Sequence, residues 1–494
     1  MDHSIRCGSW ERLYWVGLAA VIGCCWVLPL NSPLWLDETV TYWTIRGGLL
    51  DIARRCPLNS IPYSILIWSV DQAFGRAEAV LRLPSLVGAA AAAHFLYRLA
   101  AEQYDCLTAR SAVALFSATT TVAYAAADAR PYALGLAVVV ASSLFLSRWI
   151  QSGRYTDAIW YGLLAGLIPH FHLVFALVAV PQLVYLLIGL YRGQVRWRVL
   201  VIAAMCGGLL VGPLFPQFIQ ALRTSAEHSF ARSYSVNELL TSIFRYYWLI
   251  AIVGAVALQG QFSSGLVWPR QRTFLVLVVT WAVLPPGLLW IVSLSDQTHL
   301  FLPRYVLSSA PASALLFAAI LRPLKTRAVH HLALAIMCLV SVGHSVMYGW
   351  VFEHSRSRGN WREALRFAEA TTAVKREPVF VRSALPEANS MDWRRDPVSD
   401  SVFFAPASYY RTKTRLVPLP VTLSEELRDY ARQQVAGHTR FLLISLDHPT
   451  PVASALTCVD RWFVRWKRSL LADFDGLRVY EYRGPDYRPV LQLK

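Results

Sequence analysis

Apolar runs near the length a bilayer requires recur from the start of the chain to about residue 350, and this recurrence limits the fold more than any other feature. A helix needs about 20 apolar residues to cross the hydrocarbon core. Hydropathy places eleven such runs, at 13–30, 81–99, 111–127, 132–149, 158–169, 172–190, 199–214, 247–262, 273–293, 305–321 and 329–350. Only 16% of the residues are charged and 55% are apolar, where a soluble domain carries about a quarter charged residues. A polytopic α-helical membrane protein is the fold class this predicts. The first run follows Arg6 and Arg12 as a signal peptide would, but "WVLPLNSP" has no small-x-small cleavage site, so it reads as a retained span.

The net charge of +16 would suggest nucleic acid in a soluble protein. Here the cations sit in short connections between spans, and no binding motif accompanies them, so no nucleic-acid partner is expected. The connections "RLAAEQYDCLTAR", "RWIQSGRYTD", "YRGQVRWR", "WPRQR" and "RPLKTR" each carry two or three Arg or Lys. Their only acids are Glu102, Asp105 and Asp157. With the N-terminus inside, all five lie on the cytoplasmic side, as the positive-inside rule requires. That assignment holds only if "NSIPYSILIWSVDQAFG" (59–75) does not cross, so the segment is expected to lie on the outer surface as a helix. Residues 31–80 then form the first outer loop. "DARPY", "PHFH" and "FLPRY" share its side, and so does everything after about 350.

Residues 351–494 change character. "EPVFVRS", "RFLLISL" and "LRVYEYR" read as strands, and "RGNWREALRFAEA" and "TLSEELRDYARQQVAG" as helices. Thr422 and Glu425 fit a capping box, with Gly437 as the stop. The expected division is a transmembrane module over 1–350 and a small extracytoplasmic α/β domain over 351–494. Eight cysteines are scattered without metal-type spacing. Cys56 and Cys458 alone fall outside in this scheme, where an oxidising compartment would let them pair.

Four polar features collect on that outer face. Asp37 and Glu38, in "LDETVTYW", are either a solvated helix start or a general base with a second acid that orients it or binds a metal. Asp128, Arg130 and Tyr132, in "AAADARPYAL", are an interfacial ion pair and anchor, or a guanidinium facing phosphate with substrate contacts beside it. His170 and His172, in "IPHFHLVF", are interfacial histidines, or one of them is a metal ligand. Arg304 and Tyr305, in "FLPRY", are a phosphate contact or a headgroup anchor.

Residues 31–150 resemble the N-terminal half of the GT-C superfamily, the group that holds lipid A aminoarabinose transferase, the Rgt-type lipopolysaccharide transferases and the protein O-mannosyltransferases. The resemblance is carried in order by "LDETVTYW", "IPYSILIWSVDQAFGRAEAVLRLPSLVGA" and "AAADARPYAL", with "PHF" and "PRY" as later echoes. One departure stands out: the family's "HPP" at the surface helix is "NSIPYS" here, without the histidine. The resemblance implies transfer of a sugar, with inversion, from a polyprenyl-phosphate-linked donor to an acceptor glycan, lipid or protein. It implies Asp37 as base and Glu38 as orienter or metal ligand, with Arg130 first, then Arg82 and Arg304, on the donor phosphate. A divalent cation (Mg, Mn or Zn) held by Glu38 and His170 is the cofactor expected. The expected location is the bacterial inner membrane, in contact with membrane lipid. The rival reading is a flippase or transporter of a lipid-linked sugar, which would more often show charges within spans and paired half-repeats.

Overall fold

A computed structural model describes residues 2–56, 60–223, 234–259, 268–295, 300–324, 326–347, 359–372, 377–382, 402–420, 423–446 and 452–486. The chain forms two compact units. One holds residues 1–30 and 52–352, and the other holds 31–51 and 353–494. The acidic segment after the first span belongs to the C-terminal unit, not to the spans.

The first unit is helical. Among the described residues, eight helices are long and apolar enough to cross a membrane: Glu11–Asn31, Glu78–Gln103, Tyr132–Ser152, Leu173–Tyr191, Trp197–Ile219, Phe274–Val292, Pro303–Leu321 and Arg327–Met347. The chain is an integral membrane protein. The other three expected spans take different forms. Residues 106–126 are two helices, Cys106–Ala118 and Thr120–Ala126, divided at Thr119, whose backbone is extended (φ −66°, ψ 123°). Residues 155–167 form a helix of 13 residues, about 20 Å long at 1.5 Å per residue, followed by the 3₁₀ turn Ile168–His170. Residues 236–257 are a pair, Val236–Phe244 and Trp248–Ala257, bent by 58°.

The ends of these helices sort cleanly. At one end, Arg148 grips Glu102 through two bonds (2.8 and 2.5 Å), Arg322 bonds Asp105 (2.6 Å) and Arg110 bonds Glu11 (2.5 Å). The Arg270 N–H donates to the Gln103 carbonyl (2.7 Å). Four of the basic connections and the start of the first span therefore meet at one end of the unit.

Small residues bring the helices close. The helices Glu78–Gln103 and Tyr132–Ser152 touch at Gly88, where a Cβ would lie 2.7 Å from the Leu134 backbone nitrogen. Ala89, Ala92, Leu96 and Ala100 on the same helix are buried, which is the close packing the Ala-rich "GAAAAAHF" suggests. Gly162 and Gly166, spaced i,i+4, face Ala203 and Gly207. A Cβ on Gly166 would sit 2.7 Å from the Gly207 carbonyl oxygen.

The segment 59–75 yields the helix Ile61–Phe74. At about 21 Å it is too short to cross. Tyr63, Ser64, Ile67 and Asp71 line its buried face, while Ile65, Leu66 and Phe74 are exposed. This alternation of faces suits a helix lying along a surface.

In the second unit, five strands order as β2–β1–β3–β5–β4. They are β1 Val379–Arg382, β2 Leu416–Pro418, β3 Arg440–Leu446, β4 Lys467–Phe474 and β5 Leu477–Arg483. β1 pairs in parallel with β2 and β3, while β5 is antiparallel to β3 and β4. Three of these strands are the expected ones; β2 and β4 are additional. Helices Trp361–Thr372, Glu425–Val435 and Val452–Trp462 accompany the sheet. Ser424 caps the second, accepting from the Leu427 N–H; Thr422, expected in that role, lies outside the described residues. Gly437 ends that helix region with φ +81°, a conformation that favours glycine. Cys56 and Cys458 are both free thiols.

Candidate active site

In the second unit the acidic pair opens the helix Leu36–Ile45. Trp35 stands at the N-cap and has no side-chain acceptor to offer. Glu38, three residues on, accepts from the Trp35 N–H through Oε2 (3.1 Å), the half of a capping box that the third helical residue supplies. Glu38 is fully buried. Asp37 is half-buried, and in the first turn its charge complements the helix dipole. Thr39, Thr41 and Thr44 donate back to the carbonyls of Leu36, Asp37 and Val40 (2.6, 3.2 and 2.9 Å). The helix is held by its own unit. Tyr410 Oη accepts from the Leu34 N–H (2.6 Å), Tyr42 meets Tyr409 edge-on (5.0 Å), and Arg362 donates to the Asn31 carbonyl (3.2 Å).

In the first unit the outer-loop motifs converge at the end opposite the basic connections. Tyr63 bonds Ser85 (3.3 Å), and Ser85 donates to the Arg130 carbonyl (3.0 Å). One chain of hydrogen bonds thus joins "IPYS", "LRLPS" and "DARPY". The Arg130 N–H donates to the Asp128 carbonyl (2.7 Å), making a tight turn, and Asp128 is fully buried.

His172 stands one residue ahead of the span Leu173–Tyr191. Its ring packs against Tyr132 (5.2 Å), Phe175 (5.0 Å) and Tyr305 (5.0 Å), and the Arg304 guanidinium lies over the Tyr305 ring (5.4 Å). Burial first, then the charges of Arg304 and Arg130, push the His172 imidazole down to about 3, so it is neutral at physiological pH. Two guanidiniums, two phenols and a neutral imidazole therefore share one corner.

Arg82 takes a different place. It is fully buried, and its Nη1 donates to the Pro29 and Leu30 carbonyls (3.2 and 2.8 Å). This fastens the second span to the end of the first. His170 is half-buried, and its Nε2 meets the Leu210 carbonyl at 2.9 Å, which makes that nitrogen a donor. Its Nε2 and the Glu38 Oε2 are thus both engaged. Among the described residues no group of three or more His, Cys, Asp or Glu is arranged to hold a metal ion. No step is routed through a metal ion.

Sequence reasoning favoured His170 and left His172 aside. The usable signal was "PHFH" itself: residues two apart at a span's mouth cannot share an environment. Cys56, expected to be able to pair with Cys458, is a free thiol. Its thiol lies 3.1 Å from Ser64 Oγ, and burial raises its pKa while Ser64 and Arg130 oppose the rise.

Comparison with known proteins agrees with this architecture. Residues 60–215 match the family model described as dolichyl-phosphate-mannose-protein mannosyltransferase, a stretch that holds Arg82, Asp128, Arg130, Tyr132, His170 and His172. The structure resembles that of ArnT from Cupriavidus metallidurans in the apo state, with TM-score 0.57 and 14% identity over 96% of this chain and 98% of that one. It also resembles the same protein bound to undecaprenyl phosphate, with TM-score 0.56 and 13% identity over the same shares. A weaker likeness, TM-score 0.46 at 14% identity, is to the mycobacterial arabinofuranosyltransferase AftD, covering 97% of this chain and 40% of that chain. No curated protein matches the chain by sequence. The fold is that of the ArnT structures. Within that fold this chain is similar to ArnT along nearly its whole length.

Proposed function

We propose that the chain is an inverting glycosyltransferase that moves a sugar from a polyprenyl-phosphate donor to an acceptor hydroxyl on a lipid, glycan or protein, at the extracytoplasmic face of a bacterial inner membrane. The observation that carries this reading is the corner where Arg130 and Arg304 act on His172 between Tyr132 and Tyr305. Paired guanidiniums beside aromatic rings at a span's mouth suit a phosphate on a lipid tail. The ArnT structure with undecaprenyl phosphate supports that class of donor.

The chemistry assigns a role to each group. The acceptor oxygen attacks the anomeric carbon, Asp37 takes its proton, and the new C–O bond forms as the anomeric C–O(phosphate) bond breaks. The electron pair leaves with the phosphate, whose charge grows as the diester becomes a monoester. Arg130 and Arg304 answer that growth. Tyr132, Tyr305 and Asp128 shape the surroundings of the two guanidiniums. Arg82 acts through position alone.

The test is a transfer assay with purified full-length protein in lipid, undecaprenyl-phosphate sugars as donors and a panel of glycan, lipid and peptide acceptors. Wild type should transfer with at least one pair, and Asp37→Asn should lose about 10²–10⁴-fold, the range of general base catalysis. A rate unchanged by EDTA is expected; a loss restored by Mg, Mn or Zn would bring back the divalent ion. Scrambling of the lipid-linked sugar across vesicles, with no transfer from any donor, would replace this reading with the flippase.

A further inference from the structure

We propose that His172 is itself a ligand-facing residue of this corner, donating a hydrogen bond from Nδ1 to a non-bridging phosphate oxygen of the polyprenyl-phosphate donor. The inference rests on the donor reading above and extends it to a residue with no assigned role.

His172 Nδ1 is buried and has no hydrogen-bond partner among the described residues. Other histidines of the helical unit satisfy theirs. His170 bonds the Leu210 carbonyl, His330 bonds Ser111 and the Leu321 carbonyl, and His344 bonds Thr120. A histidine retained only for packing would be expected to do the same, because a buried polar atom without a partner is costly. A bound acceptor atom removes that cost.

Tyr132, Phe175 and Tyr305 contact the ring at 5.0–5.2 Å. They fix its plane, so Nδ1 points in one direction without a ligand to order it. Such preorganisation makes a contact count in the transition state. Two guanidiniums already draw an anion to this corner. A phosphodiester carries one negative charge and a phosphomonoester about −1.5 to −2 at neutral pH, so the phosphate gains charge on transfer. A neutral third donor strengthens the contact without adding a positive charge that would hold the product after transfer.

The experiment measures binding of undecaprenyl phosphate to the full-length protein in nanodiscs, with thermal melts of every variant. His172→Asn places an amide N–H near the Nδ1 position, His172→Gln places one near Nε2, and His172→Phe keeps the ring without either. Wild type and His172→Asn should bind within about threefold of each other, while His172→Gln and His172→Phe should bind about tenfold more weakly with near-native melts. In transfer, kcat should fall more than KM rises for His172→Phe. Wild-type affinity in both His172→Phe and His172→Gln would overturn the inference and leave the donor reading intact. Should His172→Phe fail to fold, the Asn and Gln pair decides, and equal binding by the two overturns it. Failure of the wild type to bind undecaprenyl phosphate would remove the donor reading and this inference together.

Discussion

At the residue scale, Asp37 and Glu38 are neighbours in different surroundings. Glu38 accepts from the Trp35 N–H and is fully buried, while Asp37, the base proposed here, is half-buried. Glutamine at the third helical position accepts the same hydrogen bond, so Glu38→Gln should keep stability and retain transfer within a few-fold. Glu38→Ala should lose about 1 kcal/mol through the missing cap, visible as a lower melting temperature. A Glu38→Gln rate as low as that of Asp37→Asn would merge the two roles. The sequence carries the pair, the aromatic residues around it and the side it faces. It does not carry the division, because that depends on the helix beginning at Leu36, and a shift of one residue would exchange the roles. His170 and His172 pose the same difficulty. Both lie at one mouth, and only the fold turns one toward Leu210 and the other toward Tyr132 and Tyr305.

At the element scale, legibility follows how strongly the pattern repeats. The long spans are legible because a continuous apolar run has few other outcomes. The strand "RFLLISL" is legible because β3 is buried along its centre. β4, "KRSLLADF", is a sheet edge with an exposed first half and a bulge between Leu470 and Ala472, so it lacks the alternation that marks a strand. β2 is three residues ending in Pro418, and a proline is tolerated there because β2 is also an edge. The helix pair 155–167 and 197–211 gives an element-scale prediction. Gly166→Leu must drive a side chain into the Gly207 carbonyl, whereas Gly208→Leu meets nothing within 4 Å. The first should lose about 1–3 kcal/mol, the range of overpacking, and the second should melt near wild type in the same detergent. Equal melts would mean the two helices do not approach this closely. A similar contrast tests the link from the surface helix to the Asp-x-Arg loop. Ser85→Ala removes the donor to the Arg130 carbonyl and should slow transfer without changing expression, as expected of a residue that only positions another.

At the scale of the whole molecule, the charge pattern and the contacts reach the same sorting by separate routes. Loop composition sends five connections to one side. The ion pairs Arg148–Glu102, Arg322–Asp105 and Arg110–Glu11 bring the connections themselves together at one end of the helical unit. The motif residues Tyr63, Ser85, Arg130, His172 and Tyr305 meet at the other end. The runs 106–126 and 155–170 also pass from the first end to the second, beginning beside Asp105 and Asp157 and ending at Asp128 and His170. Their breaks are therefore compatible with crossing, although neither run is one long helix. This predicts which compartment each end meets. In a cysteine-free background, Gln151→Cys lies at the basic end and Ser69→Cys on the surface helix, and both positions are exposed. An impermeant maleimide should label Ser69→Cys once the outer membrane is opened, and Gln151→Cys only after the inner membrane is breached. The pair tests the broken run 106–126 as well, because an even number of crossings between the two positions would label both from one side. Labelling of Gln151→Cys in sealed cells would place the basic connections outside, against the Arg and Lys bias of those short connections. The same result would carry the Arg130 and His172 corner to the cytoplasm, where the donor contacts proposed for it would have to be argued again.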